Sequence, residues 1–205
     1  HPVAHSFPTR RSSDLERVIA GLGSVSGRLG FLYVTDAANA HLDAILDALR
    51  EATDVEHWVG AVGLGICATG VEYYERPAIA AMVTDLPEDA FRVFPPIVKD
   101  LEAFDSAQRS WLGSAQPYMG LVHADPANPL TESLIRQLAE RTVTGFLVGG
   151  LASSHSNARV VAERHLKLRA RAAGGQPLEA IGFGLAELRD GLIEQMRLAY
   201  RLDVN

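Results

Sequence analysis

The feature that most constrains this chain is an internal repeat. Residues 31–64 and 120–153 share one order of patterns: an apolar run ending in an acid, an amphipathic stretch, and a second apolar run that breaks into glycines. In the first copy "FLYVTD" precedes "AANAHLDAILDALREAT", where Leu42, Ile45, Leu46 and Leu49 fall at helical spacing, and "HWVGAVGLG" follows. In the second, "YMGLVHAD" precedes "NPLTESLIRQLAERT", whose Pro129 suits a first helical turn, and "GFLVGGLASS" follows. The copies align without a gap at an offset of 89. Nine of the 29 positions from 32 to 60 are then identical: Leu32/Leu121, Asp36/Asp125, Ala38/Ala127, Asn39/Asn128, Leu49/Leu138, Glu51/Glu140, Thr53/Thr142, Val59/Val148 and Gly60/Gly149. Average composition predicts about two. Strand, helix and strand within about thirty residues make a βαβ unit with parallel strands and a right-handed crossover. The alternative is two unrelated units with the same generic chemistry.

The rest of the chain decorates this frame. "ERPAIAAMVTDL" and "FRVF" read as strands joined by the turn "PEDA", with Pro77 at an edge or strand start. They predict an antiparallel hairpin over residues 77–94 that extends the sheet. "IVKDLEAFDSAQRSWLG" reads as a helix leading into the second copy. After residue 156 comes "NARVVAERHLKLRARAAGGQP", basic and then loop-like. "LEAIGFGLAELRDGLIEQMRLAYRL" reads as a closing helix, apolar at Leu185, Leu188, Leu192 and Met196. The fold expected is α/β: a mixed sheet with two pseudo-repeated βαβ units, an antiparallel hairpin insertion and a C-terminal helix. At the other end "HSFPTRRSSDL", His5–Leu15, has no core-facing period and resembles the translation of a common sequencing-adapter read. Residues 1–15 are therefore expected to be a non-native or disordered leader, residues 16–160 the folded domain, and residues 161–205 a divergent basic segment with its helix.

Composition narrows the function classes. The 205 residues suit one large domain or two small halves sharing a core. A net charge of −6 argues against non-specific nucleic-acid binding, which needs a basic face. Arg159, Arg164, His165, Lys167, Arg169 and Arg171 form a local basic stretch that fits a solvated helix face better than a nucleic-acid patch. The lone Cys67 excludes an intrachain disulfide and fits a reducing, cytoplasmic setting. No apolar run reaches the roughly 18 residues a spanning helix needs.

Two stretches carry a family resemblance. "VGAVGLGICATGVEYYERPAIAAMVTDL", Val59–Leu86, resembles the first half of the FIST N domain, with its glycine-rich strand end and acidic residues before a Pro-Ala strand. "LVHADPANPLTESLIRQL" followed by "FLVGGLASS" resembles the second half, including a Gly-Gly-Leu-Ala-Ser turn. The resemblance covers residues 16–160. It implies an intracellular signal-transduction domain that senses a small ligand, an amino acid among the options, and partners a FIST C domain or another signalling domain. Beyond Val161 the pattern departs from the family.

The two glycine turns are the candidate site. Ligands of open α/β sheets bind beyond the carboxyl ends of strands, where both turns lie. Glycines admit close approach to the backbone, and Thr69, Ser153, Ser154 and His155 add hydrogen-bonding side chains. Gly60, Gly63, Gly65, Cys67 and Thr69 from one turn, and Gly149, Gly150, Ser153, Ser154 and His155 from the other, are expected to face each other across one pocket. Glu72 and Glu75 stand near the first turn as acceptors for an amine. The competing reading is structural: tight turns, with serines bonding back to the local backbone. No catalytic residue, metal ligand or cofactor is assigned.

Three sharper alternatives remain. "GLGICA", Gly63–Ala68, matches the dinucleotide fingerprint G-x-G-x-x-A, with Asp85 near the ribose-binding spacing, yet "ICATGVEYYERP" is a poor helix to follow it. Cys67 is a candidate nucleophile, although a lone cysteine among apolar residues is more often core. Ser153, His155 and Asp125 supply the residue types of a triad, without a nucleophile elbow. His57, His123 and His155 have no metal-ligand spacing.

Overall fold

The computed structural model describes residues 9–23, 27–68, 71–155, 159–161, 181–186 and 197–200. Helix α1, Thr9–Leu22, comes first and buries Leu15, Val18 and Leu22. The first repeat is β1 (Leu29–Thr35), a 3-10 turn over Asp36–His41, α2 (Leu42–Thr53) and β2 (His57–Gly63). Then come β3 (Gly65–Ala68), β4 (Val71–Tyr74), β5 (Ile79–Thr84), β6 (Phe91–Ile97) and α3 (Glu102–Ala115). The second repeat is β7 (Met119–Ala124), α4 (Thr131–Ala139) and β8 (Phe146–Leu151). The short strands β9 (Val160–Val161), β10 (Ile181–Ala186) and β11 (Arg197–Tyr200) follow. Both repeats have the expected strand–helix–strand order, and each strand pair is parallel.

The units build two mixed sheets rather than one. The first runs β11-β5-β1-β2-β9 and the second β6-β10-β7-β8. The outer strands are exchanged. Strand β6 leaves the first half to pair with β10, and β11 leaves the second half to pair with β5, both antiparallel. The fold has four layers because each strand alternates its side chains. Even-numbered positions of β1 and β2, such as Leu32, Val34, Trp58 and Val62, pack with α1 and α2. Odd-numbered Leu29 and Val59 meet Phe91 and Val93 between the sheets, with Phe31 and Leu121 against them. On the far side Phe104, Leu134 and Leu138 of α3 and α4 pack on Phe94, Val122 and Ala124.

Many repeat identities have a shared physical reason. Leu49 and Leu138 are both fully buried. Thr53 Oγ1 donates to the Leu49 carbonyl at 2.6 Å and Thr142 Oγ1 to the Ala139 carbonyl at 2.9 Å, each closing the end of its helix. The gapless alignment fails at one point. Gly60 lies beside Leu32, but Gly149 lies beside Val122. Strands β1 and β7 therefore correspond at an offset of 90, and the following turns absorb the extra residue. Burial agrees, since Leu32 is 0% exposed and its counterpart Val122 is 5%. Leu121 instead joins Phe31 between the sheets.

Two expectations are corrected. The strands of the 77–94 hairpin exist, but β5 pairs with β1 and β6 with β10. Six residues between Thr84 and Phe91 carry the chain from one sheet to the other. The antiparallel hairpin insertion is β3–β4, with Gly65 opposite Tyr74 and Ala68 opposite Val71. The closing helix gives way to β10 and β11 in the described residues. "IGFGL" alternates large residues with Gly182 and Gly184, a period of two that two flanking strands satisfy and a helix interior disfavours. Residues 162–180, most of the basic stretch, and Phe7 of the leader lie outside the described residues. Within the leader, Thr9–Leu15 is helical and Leu15 is buried.

Candidate functional site

The two glycine turns border one partly open cavity of about 470 Å³. The first supplies Ala61, Val62, Gly63, Gly65, Ile66 and Cys67. The second supplies Gly149, Gly150, Leu151 and Ser153. Tyr33, Leu121 and His123 complete the lining. The cavity sits where the halves meet their own counterparts. Tyr33 and His123, equivalent at the strand offset of 90, share a hydrogen bond of 3.0 Å from Oη to Nε2. Leu64 and Ser153, equivalent at 89, are joined by the Leu64 amide donating to Ser153 Oγ at 2.9 Å. Contacts between equivalent residues lie on a two-fold axis, so the cavity is on the pseudo-two-fold of the domain.

Each half of this arrangement follows from local sequence. Both turns end parallel strands held in register, so their backbones are fixed by the sheets. Ser153 is doubly tied, since its amide also donates to the Val62 carbonyl at 3.0 Å. Ser153→Ala should leave the Leu64 amide without its acceptor and lower stability by about 1 kcal/mol, measured by denaturant titration, with faster hydrogen exchange at Leu64.

Asp36 holds the flank of the second turn. Ser154 Oγ donates to Asp36 Oδ1, the His155 amide donates to Oδ2 at 3.0 Å, and Asn39 Nδ2 donates to Oδ1 at 3.4 Å. Burial raises the carboxyl's affinity for protons, but these donors and the charge of His155 outweigh it and hold the group below its ordinary value of 3.8. Asp36→Ala is expected to cost about 1 kcal/mol and to loosen residues 152–155 selectively, which amide exchange would report.

Buried polar chemistry concentrates at Tyr33 and His123. His123 is 2% exposed, and burial pushes its imidazole down to about 4, so it is neutral near pH 7. Burial also raises the Tyr33 phenol above its ordinary range. The rings meet edge to face with centroids 5.4 Å apart. Neither residue was singled out as a ligand contact from sequence. The available signal was a histidine in the middle of an apolar strand, aligned with a tyrosine once β7 is slipped by one residue.

The expected site residues divide. Gly63, Gly65, Cys67, Gly149, Gly150 and Ser153 line the cavity. Ser154 and His155 are committed to Asp36 beside it. Thr69 lies outside the described residues. Gly60 is not among the lining residues; it packs against the Leu32 backbone, where a Cβ would sit 1.7 Å from the Leu32 carbonyl oxygen. Glu72 and Glu75 are exposed and absent from the lining.

Two of the sharper alternatives lose their context. The residues after Gly63 form strand β3 of a hairpin, so "GLGICA" opens no helix to hold a pyrophosphate. Asp125 Oδ1 accepts from the Ala127 amide at 2.8 Å in its own turn, while the His155 amide is bonded to Asp36. Among the described residues Ser153 Oγ has the Leu64 amide as its partner and no base. Cys67 is exposed and lines the cavity, so it is not the core residue that a lone cysteine among apolar neighbours suggests. Among the same residues no group of three or more His, Cys, Asp or Glu is placed to hold a metal. No helix there is long and apolar enough to cross a membrane.

Two pseudo-equivalent α/β halves thus meet around one axial cavity. The model of the FIST N domain matches residues 28–174, and this chain belongs to that family, a family of sensory domains in signal transduction. Its domains usually pair with other signalling domains. No curated protein and no solved structure matches the chain.

Proposed function

We propose that the domain is a non-catalytic sensor that binds a small molecule in the axial cavity and reports its presence to a companion signalling domain in the cytoplasm. The observation that carries this reading is the lining: both halves contribute their glycine turns to one cavity of about 470 Å³, within the range of small-molecule sites. A ligand there touches both sheets at once, so its binding energy acts on their relative placement. That is what a sensor needs, because a ligand shifts a conformational equilibrium only by its differential contacts with the two states. The FIST N membership supports the sensory role.

Gly150 gives a clean test. A Cβ at this position meets no atom within 4 Å and Gly150 lines the cavity, so a large side chain there should occupy the cavity without displacing the backbone. A thermal-shift screen over amino acids, nucleotides and uncharged metabolites should find a stabiliser, worth about 2.7 kcal/mol at a hundredfold excess over Kd. Gly150→Trp should abolish the shift and leave the unliganded melting temperature close to wild type. A stabiliser that acts equally on Gly150→Trp would place the site elsewhere.

A further inference from the structure

We infer that the cavity selects an uncharged ligand, with a polar end hydrogen-bonded at the Tyr33–His123 pair and an apolar body along Leu121 and Leu151. This rests on the cavity being the ligand site, and it narrows what that site accepts. Among the described residues the lining contains no Asp, Glu, Lys or Arg. The nearby charges are engaged elsewhere: Asp36 holds Ser154 and the His155 amide, and Arg159 reaches Asp43 at 2.7 Å and the Asn39 carbonyl at 3.3 Å. His123 adds no cation, since burial keeps its imidazole neutral at ordinary pH. Against the described lining, a carboxylate or ammonium would lose its hydration without gaining a counter-charge, which is the costly case of burial. An amide, carbonyl or hydroxyl meets a better match.

The Tyr33–His123 pair adapts to either polarity. When the phenol donates to Nε2, its oxygen still accepts from a ligand. When the other imidazole tautomer donates from Nε2 to the phenol oxygen, the phenol proton turns toward the ligand. Ser153 adds a hydroxyl whose oxygen is fixed by the Leu64 amide. The apolar side chains account for the rest of the contact surface.

Matched probes separate charge from shape. Saturation-transfer NMR on the whole chain would compare benzamide with benzoate and benzylamine, and N-acetyl-leucinamide with leucine, on wild type, Gly150→Trp and Tyr33→Phe. The uncharged member of each set should bind about tenfold or more tightly than its charged partners. That signal should vanish in Gly150→Trp and weaken about fivefold in Tyr33→Phe, the loss of one neutral hydrogen bond. Benzoate, benzylamine or leucine binding as tightly, and still lost in Gly150→Trp, would overturn the selectivity and leave the cavity as the site. Uncharged binding that is unaffected by Tyr33→Phe would overturn the anchor. Failure of every probe to show Gly150→Trp-sensitive binding would overturn the cavity reading itself, and this inference with it.

Discussion

Alanine at Gly60 is expected to destabilise the domain by about 4 kcal/mol or more, the range reserved for severe backbone and packing conflicts. The backbone there has φ +157°, and an added Cβ would stand 1.7 Å from the Leu32 carbonyl oxygen and 2.6 Å from its carbon. Those atoms are main chain in a central strand, so they cannot rotate away. Gly149 repeats the arrangement at φ +137°, with the Val122 carbonyl oxygen 1.8 Å from the added Cβ. Gly149→Ala should also be severe but milder than Gly60→Ala. Strand β2 is held on both edges by β1 and β9, whereas β8 ends its sheet and can shift outward. Gly150→Ala, one residue away with open space at its Cβ, should change stability by no more than about 0.5 kcal/mol. Denaturant unfolding of the three variants checks the ranking. Equal effects at Gly149 and Gly150 would remove the steric explanation.

Acidification should weaken the fold through His123 before the carboxylates contribute. Its folded value is about 4 and its ordinary value 6.5, so the native state binds fewer protons than the unfolded chain between them. Stability from this group is complete above 6.5 and is lost as pH falls toward about 4, by about 3 kcal/mol in all. Asp36 acts in a lower window. Its folded value is depressed, so its contribution is present above 3.8 and fades as pH falls below that. His123→Phe removes the proton site and keeps an aromatic ring opposite Tyr33. Its unfolding free energy should be much flatter than wild type between about pH 6.5 and 4.5. A wild-type slope retained in the variant would assign the acid sensitivity to other groups.

The repeat and its element order were legible because they rest on local pattern: alternation in strands, helical spacing at Leu42, Ile45 and Leu49, and glycines at strand ends. The partition into two sheets was not. Whether β6 pairs with β5 or with β10 is decided by contacts nearly a hundred residues apart, and "FRVF" reads the same in either place. The identity of Leu32 with Leu121 hid the one-residue slip, because a leucine suits both the helix-facing and the inter-sheet surface. In the closing segment, leucines at helical spacing outweighed the two glycines that mark β10. The cavity walls could be found from their glycines and hydroxyls. The roles within them could not. Gly60 serves strand packing, Ser153 ties the two turns together, and Ser154 and His155 grip Asp36. Each of these depends on what the other half of the molecule presents.

The decisive measurement is amide chemical-shift mapping with the tightest-binding uncharged probe. Binding on the pseudo-two-fold should move the amides of Gly63–Cys67 and Gly149–Ser153 together, along one titration curve, with Tyr33 and His123 responding in the same series. Shifts confined to one turn, or clustered on a surface away from both, would contradict a shared axial site.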